Sequence, residues 1–510
     1  MTFLTEITGQ SLGLLSSLFI FLVGTFVLLI IFLFIKDVSQ TKDAIRHNYP
    51  VIGRFRYIFS TLGEFFRQYF FAMDREEMPF NRAEREWVYK TSRGVDNTMA
   101  FGSTKNISPS GTPLFVNCAF PTLDEQATSS PSVCIGPYCA EPYNAKSLIN
   151  ISGMSYGALS KPAVRALSKG AKLAGCWMNT GEGGLSPHHL EGRCDIVFQM
   201  GTAKYGVRTA EGTLDDNKLR EVAAHPQVKM IEIKMSQGAK PGKGGILPGV
   251  KVTPEIAKIR GIEPGKDSIS PNRHPEISSI NELLEFVEHV RKISGKPTGF
   301  KAVIGAYGWL IQMCEEIQRR GIESAPDFIT IDSGDGGTGA APMPLMDDVG
   351  LTIKEALPMV VDILIQHGLR DRIRVIASGK LITPSGVAWA LSCGADFVTS
   401  ARGFMFSIGC IQALKCNKNT CPTGITTHNK HLQQGLDPEE KAMCVKNFVE
   451  KIHYGAGLIA HSCGVSHPRA LARYHCRIVQ SDGKSLPLDV IYPVPDVLPQ
   501  YRNTSTNKNG

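Results

Sequence analysis

The sequence predicts an α/β protein, a (β/α)8 TIM barrel preceded by an N-terminal transmembrane helix. Three observations carry that expectation. An uncharged apolar run stands near the start, eight strand-length apolar runs alternate with helical patterns from Leu148 onward, and glycine-rich or charged segments follow those runs directly. Composition agrees: 510 residues with 43% apolar and 20% charged content can bury a large core, which excludes a disordered or collagen-like chain. With 55 basic against 47 acidic residues, the net charge of +8 is too mild and too scattered for a nucleic-acid protein. Thirteen cysteines, an odd number spread thinly, argue for a reducing compartment and against a disulfide framework.

The first element is the anchor. Between Glu6 and Lys36 there is no charge, and Leu12 to Ile35 reads LGLLSSLFIFLVGTFVLLIIFLFI. As a helix at ~1.5 Å per residue this run would be about 36 Å long, enough to cross a hydrocarbon layer of about 30 Å with some tilt. A signal peptide would begin with basic residues and end in a small-residue cleavage site, and neither is present. Lys36, Lys42, Arg46, Arg54 and Arg56 all follow the span while no Lys or Arg precedes it, so the expected topology is single-pass in the cell membrane with a cytoplasmic body. Beyond it Ile58, Leu62, Phe65, Phe66, Tyr69 and Phe70 recur at helical spacing among Arg54, Arg56 and Arg67. That pattern fits an interfacial helix on an anionic leaflet, or equally a helix packed on its own domain.

After a Pro-, Ser- and Gly-rich connector from about Phe101 to Tyr143 come the eight expected strands: Leu148 to Ser152, Cys176 to Thr180, Ile196 to Met200, Val228 to Met235, Thr298 to Val303, Phe328 to Ser333, Ile373 to Ser378 and Asp396 to Ser400. Helical segments such as Lys161 to Ala174, Ile280 to Ile293, Leu310 to Arg320, Ile353 to His367 and Pro384 to Cys393 separate them. Barrel enzymes build their sites on the loops at the carboxyl ends of strands. The unusual residues fall there: SGMSYG after the first strand, TGEGG after the second, KMSQGAKPG after the fourth and DSGDGGTG after the sixth. The seventh and eighth strands end in Ser378-Gly379-Lys380 and Ser400-Ala401-Arg402-Gly403, the pair of loops where barrels often hold a phosphate with backbone N–H groups and a cation. Cys410, Cys416 and Cys421 follow in a C-x5-C-x4-C pattern whose clustering suggests metal ligation.

From Ser152 to about Gly424 the motifs ISGMSYG, NTGEGG, KMSQGAKPGKGG, SGDGGTGA and GCIQALKCNKNTCPTG stand in one order. In that combination the chain resembles the FMN-binding synthase domain of glutamate synthase, in a membrane-anchored, single-domain form. The resemblance implies an FMN-containing barrel beside a 3Fe-4S cluster, with reduced flavin delivering hydride to an imino acid formed from 2-oxoglutarate, or a related oxo acid, and ammonia. It places Met154 and Ser155 against the flavin ring, Lys301 at its pyrimidine edge, and Gly336, Gly337, Gly379 and Gly403 around ring and phosphate. Lys234, Gln237, Lys240 and Arg260 match positions that hold the oxo acid, and Glu182 the acidic residue near its reacting carbon. Cations at Lys240 and Arg260 suit a dicarboxylate. Reduction of C=N needs a proton donor, for which Glu182, with a raised pKa in an apolar rim, or a positioned Lys is the candidate. Three thiolates suit three iron corners, and a fourth ligand could come from Cys314, Cys393 or Cys463, so the cluster type rests on the resemblance.

The expected organisation is an anchor over 1–36, juxtamembrane helices and connector over 37–143, the FMN-binding glutamate synthase barrel over 144–480 with its iron–sulphur loop at 410–421, and an extended or disordered tail over 481–510. The pattern departs from the large synthases in having the span where a glutaminase would stand and only 88 residues after Pro422, so ammonia is expected from solution or a separate glutaminase subunit. Ile246 stands where the family commonly has Gln, which removes a polar contact from the oxo-acid pocket. No G-x-G-x-x-G turn leads directly from a strand into a helix as a dinucleotide fold demands, which leaves a ferredoxin or a reductase subunit as electron donor. His188, His189 and His274 lack a ligand set at a metal-binding interval, and Cys134 and Cys139 lack a second pair; both groups are expected to be structural. Two other readings remain open: a condensing enzyme resembling N-methylglutamate synthase, and a membrane flavin and iron–sulphur carrier without amino-acid turnover.

Overall fold

The computed structural model describes residues 2–504, without the side chains of 2–10, 64, 65, 503 and 504, and divides after Ala83 into two compact units. In the first, α1 (Thr2–Ser39) is one continuous helix. Within Ser11–Ser39 the most apolar 18 residues have a mean hydropathy of 3.2 and are not buried in the protein, so the helix is apolar on every side without a core to cover it. A carboxylate at a helix carboxyl end opposes the helix dipole, so Asp37 needs cations. It finds them in the turn that follows: Arg54 donates to both its oxygens at 2.6 and 2.7 Å, and Arg46 to one at 3.3 Å. The chain thereby folds back through α2 (Ala44–Asn48), capped by the Asp43 side chain, into α3 (Gly53–Phe66). Ile58, Leu62, Phe66, Tyr69 and Phe70 are all exposed; the Phe65 side chain lies outside the described residues.

The second unit contains the barrel. In chain order it runs β1 (Ile149–Ile151), α4 (Lys161–Ala174), β2 (Met178–Asn179), β3 (Ile196–Met200), α5 (Asp216–Ala223), β4 (Val228–Lys234), α6 (Pro254–Arg260), α7 (Ile280–Ser294), β5 (Thr298–Val303), α8 (Gly308–Arg320), β6 (Phe328–Asp332), α9 (Ile353–Gln366), β7 (Arg374–Ser378), α10 (Pro384–Ser392), β8 (Phe397–Ser400), α11 (Arg402–Ser407) and α12 (Pro438–Ser462). The eight strands form a closed parallel barrel, sealed where Val398, Thr399 and Ser400 of β8 pair with Ile149, Asn150 and Ile151 of β1. All eight stand within two residues of the runs read from the sequence. The long α12 lies against α4 and α10 on the outside.

The amino end of the barrel is plugged. A hairpin of Val133–Ile135 and Tyr143–Ala145, in the connector, brings Ile135 and Ala145 onto Trp177, Val197, Met230, Phe328, Ile376 and Phe397. Trp177 meets Phe397 edge-on at 5.0 Å. The extended or disordered tail expected from residue 481 is corrected in part. Ser485–Pro487 pairs with Arg477–Val479 of the strand Cys476–Val479, whose residues Cys476–Ile478 pair with Pro113–Phe115, and Leu488 is buried at the start of a short helix. A further turn covers Pro499–Thr504, and residues 505–510 lie outside the described residues. Of the two pairings, that of Ser485–Pro487 is a local hairpin, whereas that of Pro113–Phe115 spans the whole barrel sequence, which no local pattern reveals.

Candidate functional site

The carboxyl ends of the strands gather the residues singled out from the sequence. Met154 and Ser155, in the loop after β1, are buried against the loop after β2. The approach leaves no space for side chains, since a Cβ at Gly181, which has φ +64°, would lie 2.5 Å from Ser155 N. Glu182 then sits in a slot that two other glycines create: a Cβ would come within 2.2 Å of its Oε1 at Gly245 and 2.7 Å of its carboxylate at Gly201. Lys234, the last residue of β4, meets Glu182 at 3.0 Å and also donates to Gln237. Lys240 is buried, with only a long bond of 3.4 Å to Ala340 O.

Arg260 ends α6, where Gly261 closes the helix in the left-handed conformation. Its guanidinium is 4% exposed, lies over the Tyr205 ring at 5.0 Å, and donates to Ser268 at 3.0 Å. Ser268 in turn donates to Tyr205. Among the described residues the Nε–H of Arg260 has no partner, which a buried guanidinium does not tolerate cheaply and a bound anion would satisfy. Ile246 is exposed beside this pocket, in a two-residue strand paired with Ser268–Ile269.

Electrostatics correct one expectation. Burial acts to raise the pKa of Glu182, but Lys234 at contact, with Lys240 and Arg260 beyond, outweighs it and leaves the pKa lowered, so this carboxylate is ionised and not a neutral acid. Its rim is cationic, not apolar. Lys240 carries the opposite perturbation: burial first, then the neighbouring Lys234, brings it down to about 8. An amine with such a pKa can exchange a proton near neutral pH.

Across the mouth lies a second group. Lys301 of β5 pairs with Asp332 at 3.0 Å; burial disfavours its charge, yet Asp332 and Glu232 prevail and its pKa is raised. Asp332 also accepts from the Gly238 N–H at 3.0 Å and from the Ser378 hydroxyl at 3.0 Å, tying the loops after β4, β6 and β7 together. Gly336 abuts Gly238, and at Gly379 a Cβ would fall 2.3 Å from that of Ser333. At Gly337 a Cβ would approach Arg402 Nε to 2.9 Å, and Gly403 donates to Ser400. Lys380 and Arg402 are not free surface charges: Lys380 pairs with Asp335 at 2.7 Å, and Arg402 lies close enough to help lower the pKa of that carboxylate. Below, in the barrel interior, Glu232 accepts from Asn179, Gln199 and Thr330 at 2.6–2.8 Å. Sequence reasoning missed Glu232, Asp332 and Asp335, whose only signal was a carboxylate at or near a strand end.

The loop of Cys410, Cys416 and Cys421 is wound tightly, with Gln412, Leu414 and Asn419 all at positive φ between 55° and 59°. Three such non-glycine residues in a short loop store backbone strain of the kind found around ligands. Burial pushes the Cys410 thiol up to about 12 and also raises Cys416, whereas hydrogen bonds from Thr423 and Thr426 overcome burial at Cys421 and lower its pKa. Among the described residues no three His, Cys, Asp or Glu side chains converge on a single-ion site. Ligands of a polynuclear cluster are set apart by its edges and do not converge on one point, and three cysteine thiols on one wrapped loop fit that donor chemistry. Buried Lys251 donates to Ala158, Cys416 and Thr426 carbonyls beside these thiols. His188 meets the Glu255 carboxylate, His189 bonds to Ser186, and His274 bonds to the Lys234 carbonyl, so each is held by protein groups.

Residues 117–466 match the family model described as a conserved region in glutamate synthase. The glutamate synthase large subunit-like protein YerD of Bacillus subtilis (strain 168) is 40% identical over 502 residues, covering 91% of this chain and 95% of that protein. The archaeal glutamate synthase (NADPH) of Methanocaldococcus jannaschii is 37% identical over 303 residues, covering 59% of this chain and 56% of its own length. Among solved structures, a mutant of the active chimera of (S)-mandelate dehydrogenase aligns with a TM-score of 0.47 at 13% identity over 78% of this chain and 98% of that one.

Proposed function

The chain belongs to the glutamate synthase family, and from that premise we propose that it is an oxidoreductase acting on CH–NH2 groups, which forms L-glutamate by reductive amination of 2-oxoglutarate. One observation carries the substrate class. Lys234, Lys240 and Arg260 surround a single carboxylate, Glu182, giving three positive charges against one negative, a surplus of two, with Arg260 Nε–H still unpartnered. A small dianion is the ligand that balances such a pocket.

The loops after β1, β5, β6, β7 and β8, with Met154, Ser155, Lys301, Gly336, Gly337, Gly379 and Gly403, would hold FMN, and Cys410, Cys416 and Cys421 a 3Fe-4S cluster. When bound, the flavin supplies hydride to carbon and the cluster supplies single electrons. The protein's own part is binding and proton management. Arg260 and Lys240 hold the carboxylates of the oxo acid, Arg260 in forked geometry. Ionised Glu182 accepts a proton from nitrogen as ammonia adds to the carbonyl and passes it to the hydroxyl that leaves as water. Lys240, with its pKa near 8, returns a proton to the imino nitrogen as carbon is reduced. Lys234 keeps Glu182 ionised and aligned.

The apolar α1, with Lys36, Lys42, Arg46, Arg54 and Arg56 after it, supports a single membrane crossing that leaves the barrel on the cytoplasmic side, and the exposed aromatic face of α3 supports an interfacial position. Ammonia from solution or a separate glutaminase subunit, and a ferredoxin or reductase subunit as electron donor, complete the scheme. The test is glutamate formation by the full chain from 2-oxoglutarate, ammonia and chemically reduced viologen. Glutamate formed in proportion to viologen oxidised is the expected result. Incorporation of methylamine into glutamate without viologen oxidation would establish the condensing reading instead, and flavin reduction with no amino acid formed would establish the carrier.

A further inference from the structure

Lys251 is the most deeply buried lysine that the proposed chemistry leaves unused, sharing 1% exposure with Lys204, which is paired with Glu276. Its Nζ donates to Ala158 O at 2.8 Å, Thr426 O at 3.0 Å and Cys416 O at 3.2 Å. Three acceptors engage three hydrogens, which an ammonium has and a neutral amine lacks. All three partners are uncharged carbonyls, so the charge is solvated by dipoles but not neutralised by them. Its neighbours include Cys416 and Cys421, two of the three thiols in the loop. The acceptors also come from two places: Ala158 follows the β1 loop that carries Met154 and Ser155, while Cys416 and Thr426 flank the third thiol, Cys421. Lys251 itself ends the turn Gly249–Lys251, which leads through the Thr253 cap into α6 and so to Arg260.

We infer that Lys251 is a positioning residue for the iron–sulphur centre: it fastens the thiol loop to the loop leaving β1, and its ammonium offsets the charge that the centre gains on reduction. The inference rests on the reading that Cys410, Cys416 and Cys421 hold a cluster. Reduction adds one electron from an external donor, breaks no bond and makes the centre more negative by one unit. A fixed cation beside the thiol loop would favour that state, because net charge and local electrostatics set cluster potentials.

The test compares the full chain in detergent, reconstituted anaerobically with iron, sulphide and FMN, with Lys251→Met and Lys251→Arg. Iron content, flavin content and a mediated redox titration followed by electron paramagnetic resonance are the readouts. In Lys251→Met the flavin should remain, and at the native midpoint the ratio of oxidised to reduced cluster should rise at least tenfold, which is about 59 mV for one electron. Lys251→Arg should stay within about threefold of native. Iron loss with flavin retained in Lys251→Met supports the fastening role, and the charge role is then decided by Lys251→Arg. Full iron in Lys251→Met with an unmoved ratio overturns the inference, as does an arginine variant shifted like the methionine one. An iron-free unsubstituted protein overturns the cluster reading and this inference with it, whereas iron with an unmoved potential overturns only the role of Lys251.

Discussion

The two ends of the barrel are made from the same eight strands and solve opposite problems. At the amino end, Trp177, Phe328, Ile376 and Phe397 are closed over by the Ile135 hairpin, and the arrangement is dry packing. At the carboxyl end, glycines remove side-chain volume, and four buried cations, Lys234, Lys240, Arg260 and Lys301, meet the carboxylates of Glu182, Asp332 and Glu232. Buried charges with incomplete partners cost stability, whereas aromatic burial supplies it. One end therefore supports the fold so that the other can remain electrostatically unbalanced until a ligand arrives.

Substitutions can separate the two ends. The largest effect expected is at the mouth: Glu182→Gln should lower glutamate formation about 10²–10⁴-fold while flavin binding and melting temperature hold, as measured by steady-state turnover and calorimetry. Equal losses of activity and stability would erase the distinction between the ends. Cys416→Ser should remove the cluster's iron and broad visible absorption and spare the fold; unchanged iron content would refute those ligands. At the plug, Phe328→Ala should cost about 3–5 kcal/mol in denaturant unfolding, with KM of the surviving folded protein unchanged.

A pH profile sharpens the contrast. Since Lys240 must carry the proton it donates, activity should fall as pH rises through about 8, and Lys240→Met should lower activity about 10²-fold and remove that pH limb. The sign for stability is the reverse. The folded pKa lies below the unfolded value near 10.5, so between the two the unfolded chain binds more protons, and this group's contribution to folding improves as pH rises. At neutral pH it is a burden, and Lys240→Met should stabilise the ligand-free chain by about 1–2 kcal/mol. A destabilised variant would show that Lys240 packs more than it strains.

The barrel was legible because parallel strands buried on both faces read as continuous apolar runs, and Ile196–Met200 and Thr298–Val303 match at both ends. The motif residues were equally legible as positions at strand ends. What the sequence hid was their sum. The ionised state of Glu182 depends on cations from β4, the loop beyond it and α6, and no spacing reports that three segments meet at one carboxylate. Lys251 was invisible for the same reason, since its acceptors lie 93, 165 and 175 positions away. The ordered tail escaped because its strand Ser485–Pro487 is only three residues long, and the strand it pairs with locally, Cys476–Val479, is itself held by Pro113–Phe115 from before the barrel.

That pairing has a consequence for how the protein is made. Phe115 finds its ladder partner at Cys476, 361 positions later, and Ser485–Pro487 completes the same small sheet. Ribosomes release the connector long before its mate exists, so this clasp closes only after the enzymatic portion has emerged, and a nascent chain halted before residue 476 would leave Pro113–Phe115 as an open edge for chaperones to guard.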